Sequence, residues 1–196
     1  MTRPARTSLF DTTVGFDDPL EILLACHRRI EKFLDTLIRL QAHVDARGVD
    51  AEASVAAQSL LRYFLKSAAD HREDEEKDLL PLLQSRITDP DERARFDAFR
   101  DDVESAHREL EALWSKLRRP LEGIAEGLTR PLAAADVHAF TTVYRKHIAA
   151  EEAVLQEFFR RWIGEAERRE LGRRMSDRRK VVGVRGFEPP ASTSRT

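Results

Sequence analysis

Cysteine is almost missing from this chain. Cys26 is the only one in 196 residues, so no internal disulfide can form, and a reducing compartment such as the cytoplasm fits. Long apolar runs are missing too. No segment is expected to span a bilayer, and the N-terminus lacks the apolar region of a signal peptide. Stretches that alternate apolar and polar residues between turn signals are scarce, which argues against a sheet. Glycine and proline number eight each and aromatics make up 7%, while charged residues reach 35%; that balance suits amphipathic helices with solvated outer faces. A basic excess is also lacking. The formal net charge is −2; residues 173–196 hold +5 of it, which leaves residues 1–172 at −7. An acidic body argues against nucleic acid as the main partner.

What is present is helical periodicity. Residues 1–16 are polar and aperiodic and read as a flexible arm. Asp18-Pro19 is a helix start, with a capping carboxylate followed by proline at the first position. Leu20, Leu23, His27, Ile30, Leu34, Leu37, Gln41 and Val44 then recur at steps of three and four, the seam of a bundle helix. Gly48 is placed to close it. A second helix is expected from about Asp50, with a kink at Pro81. A third starts near Asp89 and meets Pro120, which should kink or end it. A fourth follows Thr129-Arg130-Pro131 and should end by about Gly172. The sequence therefore predicts an all-α, up-down-up-down four-helix bundle over residues 17–172. Residues 173–196, basic and then rich in Gly, Pro, Ser and Thr, are expected to be a disordered tail.

One spacing occurs twice. His71-Arg72-Glu73-Asp74-Glu75-Glu76 and His147-Ile148-Ala149-Ala150-Glu151-Glu152 both read His-x-x-x-Glu-Glu. Residues four apart share a helix face, so His71 lies with Glu75 and His147 with Glu151. Upstream of the two copies lie His27 and His107. All six fall on seam positions, which face the interior. A lone buried histidine is most often a satisfied core residue. Four imidazoles and two carboxylates in one core are costly without a shared partner, and a cation would neutralise the carboxylates and use the imidazole lone pairs. The set supplies enough ligands for two metals, and mixed nitrogen and oxygen donors without thiolate suit iron, manganese or zinc.

At these residues the chain resembles the hemerythrin-like (HHE cation-binding) family over roughly residues 18–165. The resemblance implies a non-haem di-iron centre with His27, His71, His107 and His147 as terminal ligands and Glu75 and Glu151 as bridges. Oxygen-carrying members have a fifth histidine four residues after the one matching His107. Here that position is Glu111, either a carboxylate near the metal or a solvated side chain. The four-histidine set is nearer to the branches linked to iron–sulfur repair, nitric oxide or peroxide chemistry.

The expected function is thus a cytoplasmic di-iron protein that binds or reduces dioxygen, nitric oxide or peroxide. The rivals are a non-enzymatic iron or oxygen sensor that folds on metal occupancy, and a structural bundle with a zinc site. Among other candidates, Tyr144 lies on the seam one turn before His147, Cys26 reads as packing between helices, Arg72 reads as a solvated residue, Trp114 and Trp162 read as core, and His43 and His138 read as surface or flank residues.

Overall fold

The computed structural model describes residues 18–183. The N-terminal arm, residues 1–16, and the last part of the expected tail, from residue 184, lie outside them. The described residues are all-helical, without strands.

Helix α1 spans Pro19–Arg47. Asp18 caps it by accepting the Leu20 N–H at 2.9 Å, and Gly48 closes it with φ +79°, as its position suggested. Next comes a helical rod from residue 51 to residue 86, capped by Asp50, which accepts the Ala53 N–H at 2.8 Å. The rod is not a uniform α-helix. Its α segments α2 (Ala51–Arg62), α3 (Ala68–Glu73) and α4 (Leu80–Arg86) are separated by two π turns, Tyr63–Ser67 and Asp74–Leu79. The irregularity expected at Pro81 thus includes a wider turn just before it. Helix α5 spans Pro90–Ala125, capped by Asp89, and runs through Pro120 rather than ending there. Helix α6 spans Ala134–Trp162.

One expectation about the C-terminal part is corrected. The fourth helix stops at Trp162, before the expected bound at Gly172, and a break at Ile163-Gly164 redirects the chain. Residues 173–183 are not a disordered tail, because helix α7 runs over Glu165–Gly183 and docks with Leu171 and Met175 fully inside. Those two apolar residues anchor an otherwise charged helix against α1 and the second π turn.

Helix α1 packs on α2 and α6, and α5 packs on α2 and α6, so the contacts close a ring. The core inside it comes in two apolar layers. One holds Ile30, Leu34, Ala57, Phe64, Leu110, Leu117, Phe140 and Tyr144. The other holds Leu20, Leu23, Leu79, Leu83, Phe96, Val103, Leu155 and Phe158. Each long element crosses from one layer to the other, and the residues at the crossing are the histidines and glutamates.

Candidate metal centre

Between the two layers lie His27 from α1, His71 from α3, Glu75 from the second π turn, His107 from α5, and His147 and Glu151 from α6. All six are buried, Glu75 and Glu151 to 1% exposure. They form two interlocking groups: His27, His71, Glu75 and Glu151; and Glu75, His107, His147 and Glu151. Within each group one donor atom per residue lies within 4.8 Å of every other. The carboxylates belong to both. Glu75 turns Oε1 toward His71 Nε2 (3.0 Å) and Oε2 toward His107 Nε2 (3.3 Å). Glu151 Oε2 lies between His27 Nε2 (3.3 Å) and His147 Nε2 (3.5 Å). Which histidines pair on one side was not readable from the chain; it depends on how the helices are rotated, and it puts His27 with His71 and His107 with His147.

The polar atoms here match a cation. His27 Nε2, both His71 nitrogens, both Glu75 oxygens and Glu151 Oε2 are buried without a hydrogen bond. Orphaned groups at this depth each cost free energy, and a positive charge at their focus would satisfy them together. The protons respond to the same field. Burial opposes charge on His27, but the Glu151 and Glu75 carboxylates beside it outweigh that penalty and raise its pKa to about 9. His71 is raised well above the usual value against the same burial penalty, chiefly by Glu75. Burial would raise Glu75, yet the His71, His107 and His27 imidazoles around it hold it well below the carboxylate range. His147 goes the other way: burial lowers it, and the attraction of Glu151 and Glu75 does not make up the difference.

A second ring of residues orients the imidazoles. Glu152 accepts a hydrogen bond from His27 Nδ1 (3.0 Å), and Glu76 accepts one from His107 Nδ1 (2.7 Å). A carboxylate acceptor fixes the proton on Nδ1 and leaves the Nε2 lone pair facing inward. Neither role was anticipated, although the signal was there: both motifs end in a Glu-Glu doublet, and in both the second glutamate reaches across to the upstream histidine of the other repeat.

The π turn explains how one stretch serves three partners. Asp74, Glu75 and Glu76 are consecutive, yet Asp74 meets α7, Glu75 meets the centre and Glu76 meets α5. Single π turns of this kind are frequent at functional sites. Asp74 is fully buried and takes hydrogen bonds from both Arg178 and Arg179 of α7. Arg179 also donates to Cys26 Sγ at 3.3 Å. Burial would raise the Cys26 thiol, but His71 and Arg179 outweigh it and hold it below its ordinary value. Cys26 is therefore more than packing between helices: it joins α1, His71 and α7.

Residues 18–159 match the hemerythrin HHE cation binding domain family. The chain belongs to that family. An uncharacterized protein of Haemophilus influenzae is similar to it, 28% identical over 166 residues, which cover 85% of this chain and 92% of that protein. The family match ends before α7, so the arginine contacts to Asp74 come from outside the shared domain.

The remaining candidates fall away from the centre. Glu111 is 69% exposed and bonds Arg72 (2.8 Å), which in turn bonds Glu76 (3.0 Å); Glu111 joins neither group, and Arg72 is tied down rather than merely solvated. Tyr144 is buried with its ring 6.1 Å from that of His147. His43 pairs with Asp50 at 2.9 Å, and His138 is exposed. Trp114 and Trp162 are only partly buried, at the edge of the core.

Proposed function

We propose that this chain is a hemerythrin-like up-down-up-down four-helix bundle that holds two iron ions and binds or reduces a small ligand such as dioxygen, nitric oxide or peroxide. The bundle topology is supported by the closed ring of helix contacts and by the alternating order in which successive elements cross the two core layers. The single observation that carries the metal reading is the sharing of Glu75 and Glu151 by two histidine pairs. His27 and His71 would hold one ion and His107 and His147 the other, with the two carboxylates between them. The nitrogen and oxygen donors suit iron; manganese or zinc would also fit.

When bound, the ions would supply Lewis acidity and, as iron, one electron each to the ligand. The protein's part is to aim Nε2 of His27 and His107 inward through Glu152 and Glu76, and to keep the centre between two apolar layers. The free thiol Cys26 supports a cytoplasmic setting, and a role in oxidative or nitrosative stress defence or iron handling follows from the ligand class. No described helix is long and apolar enough to cross a membrane.

Metal analysis of protein made in iron-rich medium should find about two irons per chain. The optical spectrum of the anaerobically reduced protein should change on admission of air to that of an oxo-bridged pair. Zinc alone, or no bound transition metal, would sink the reading. A sensor role is the second reading, favoured by the orphaned atoms: a core that needs a cation to satisfy them couples occupancy to folding.

A further inference from the structure

One side of the centre borders a surface groove. The groove, of about 440 Å³, runs between the rod and α5, over a floor supplied by α6. His71 and His107, one histidine from each half of the centre, form its inner end. Phe64, Trp114, Phe140 and Tyr144 line the rest. Leu65, 46% exposed, carries the apolar surface out to solvent.

Three features define what fits. The first is size. A water molecule, and by extension a diatomic ligand, needs on the order of 30 Å³, whereas organic ligands occupy pockets of about 300–1,000 Å³. The groove is in the second range. The second is charge. The ionic groups at the rim are paired: Arg72 with Glu76 and Glu111, Lys77 with Glu73 at 2.9 Å, and Arg118 with Glu122 at 2.8 Å. A charged ligand would have to break one of these pairs, and a neutral one would not. The third is the wall. The Trp114 ring lies 4.9 Å from that of Phe64 and 5.8 Å from that of Phe140, an aromatic surface that takes a flat apolar body.

We propose that this groove is the substrate site and that its substrate is a neutral organic hydroperoxide with an apolar body about the size of a substituted benzene ring. The proposal rests on the di-iron reading above and narrows its ligand class. The apolar body lies on Phe64, Trp114 and Phe140, and the peroxide end reaches the face formed by His71 and His107. Two-electron reduction of the O–O bond to the alcohol and water takes two protons from solvent, and the two bound ions, as ferrous iron, would supply one electron each.

The test separates the groove from the metal. Full-length protein as purified, in a Trp162→Phe background, leaves Trp114 as the single tryptophan; Trp162 is bonded to Glu92 on another face. Titration with 2-phenyl-2-propanol, a stable alcohol shaped like cumene hydroperoxide, should change Trp114 emission saturably, with half-saturation below about 1 mM. Ala69→Phe and Leu65→Glu, both at exposed rim positions, should weaken binding about tenfold with circular dichroism unchanged. The reduced, iron-loaded protein should be oxidised by cumene hydroperoxide about tenfold faster than by hydrogen peroxide. Iron content is measured on the same samples. Iron present with no saturable alcohol response, or the same titration in both rim variants, overturns the groove assignment. Alcohol binding without iron uptake keeps the groove and overturns the di-iron reading.

Discussion

Glu152 accepts a hydrogen bond from His27 Nδ1 at 3.0 Å, although the two residues are 125 positions apart. Glu76 does the same for His107 at 2.7 Å. Each bond aims an imidazole by fixing which nitrogen keeps its proton. Loss of such an outer partner lowers metal affinity by about 10–100-fold in metal sites generally. Glu152→Ala and Glu76→Ala should each weaken iron binding by that order in a chelator competition, with helicity retained, since both glutamates are partly exposed. Glu152→Gln keeps an acceptor oxygen and should recover part of the loss. An unchanged affinity in both alanine variants would show that the bonds do not orient the ligands.

The C-terminal helix makes a second prediction, opposite to what the sequence suggested. Cutting the chain after Gly172 removes Met175, which is fully buried, and takes Arg178 and Arg179 away from Asp74. Burial already raises the pKa of Asp74 against both guanidiniums, so without them its charge has no compensation. The truncated protein should lose about 3 kcal/mol or more in denaturant unfolding. Asp74→Asn in the truncated chain should restore part of that loss, because the neutral side chain needs no cation. Equal stability of full-length and truncated protein would mean that α7 does not hold the domain.

The six ligand candidates were legible because each fell on a seam of steps of three and four, and a seam residue must face inward. The doublets, the π turns and α7 were not read. A π turn adds a residue to one turn of a helix that otherwise keeps its composition, so nothing in Tyr63–Ser67 or Asp74–Leu79 marks it. Helix α7 offers only Leu171 and Met175 to the core among many arginines and glutamates, and that composition is shared by solvated tails. Arg72 looked solvated for a similar reason. Glu76, four residues on, shares its helix face, but Glu111 meets it only once the rod and α5 are side by side.

Glu111 supplies a third prediction. It is exposed, and among the described residues its ionic partner is Arg72. Exposed pairs contribute about 0–1 kcal/mol, so Glu111→Ala should leave iron content unchanged and cost less than about 1 kcal/mol in unfolding. His43→Ala and His138→Ala should also leave iron content unchanged. A fall in bound iron in Glu111→Ala would make Glu111 part of the centre after all.

Protons and metal compete for the same atoms, and the raised histidines give that competition a direction. In the metal-free protein the pKa of His27 stands at about 9, above the reference of about 6.5 for an unfolded chain. Its proton therefore stabilises the metal-free fold fully below pH ~6.5, and that stabilisation is lost as pH rises through about 9. His71 and His107 are shifted the same way. A metal ion needs these imidazoles neutral, so loading at neutral pH must expel protons that the carboxylates had gathered. Adding metal to metal-free protein at pH ~7 in weak buffer should release more than about one proton per chain, read with an indicator dye, and the release should shrink toward pH ~9. The same linkage makes loading weaken on acidification from above pH ~6.5, earlier than free imidazoles would require. Thermal unfolding should show the loaded form gaining stability over the metal-free form as pH rises from about 6.5 to about 9. Metal uptake without proton release at neutral pH would mean that the histidines are already neutral, and that Glu75 and Glu151 do not draw positive charge to this point.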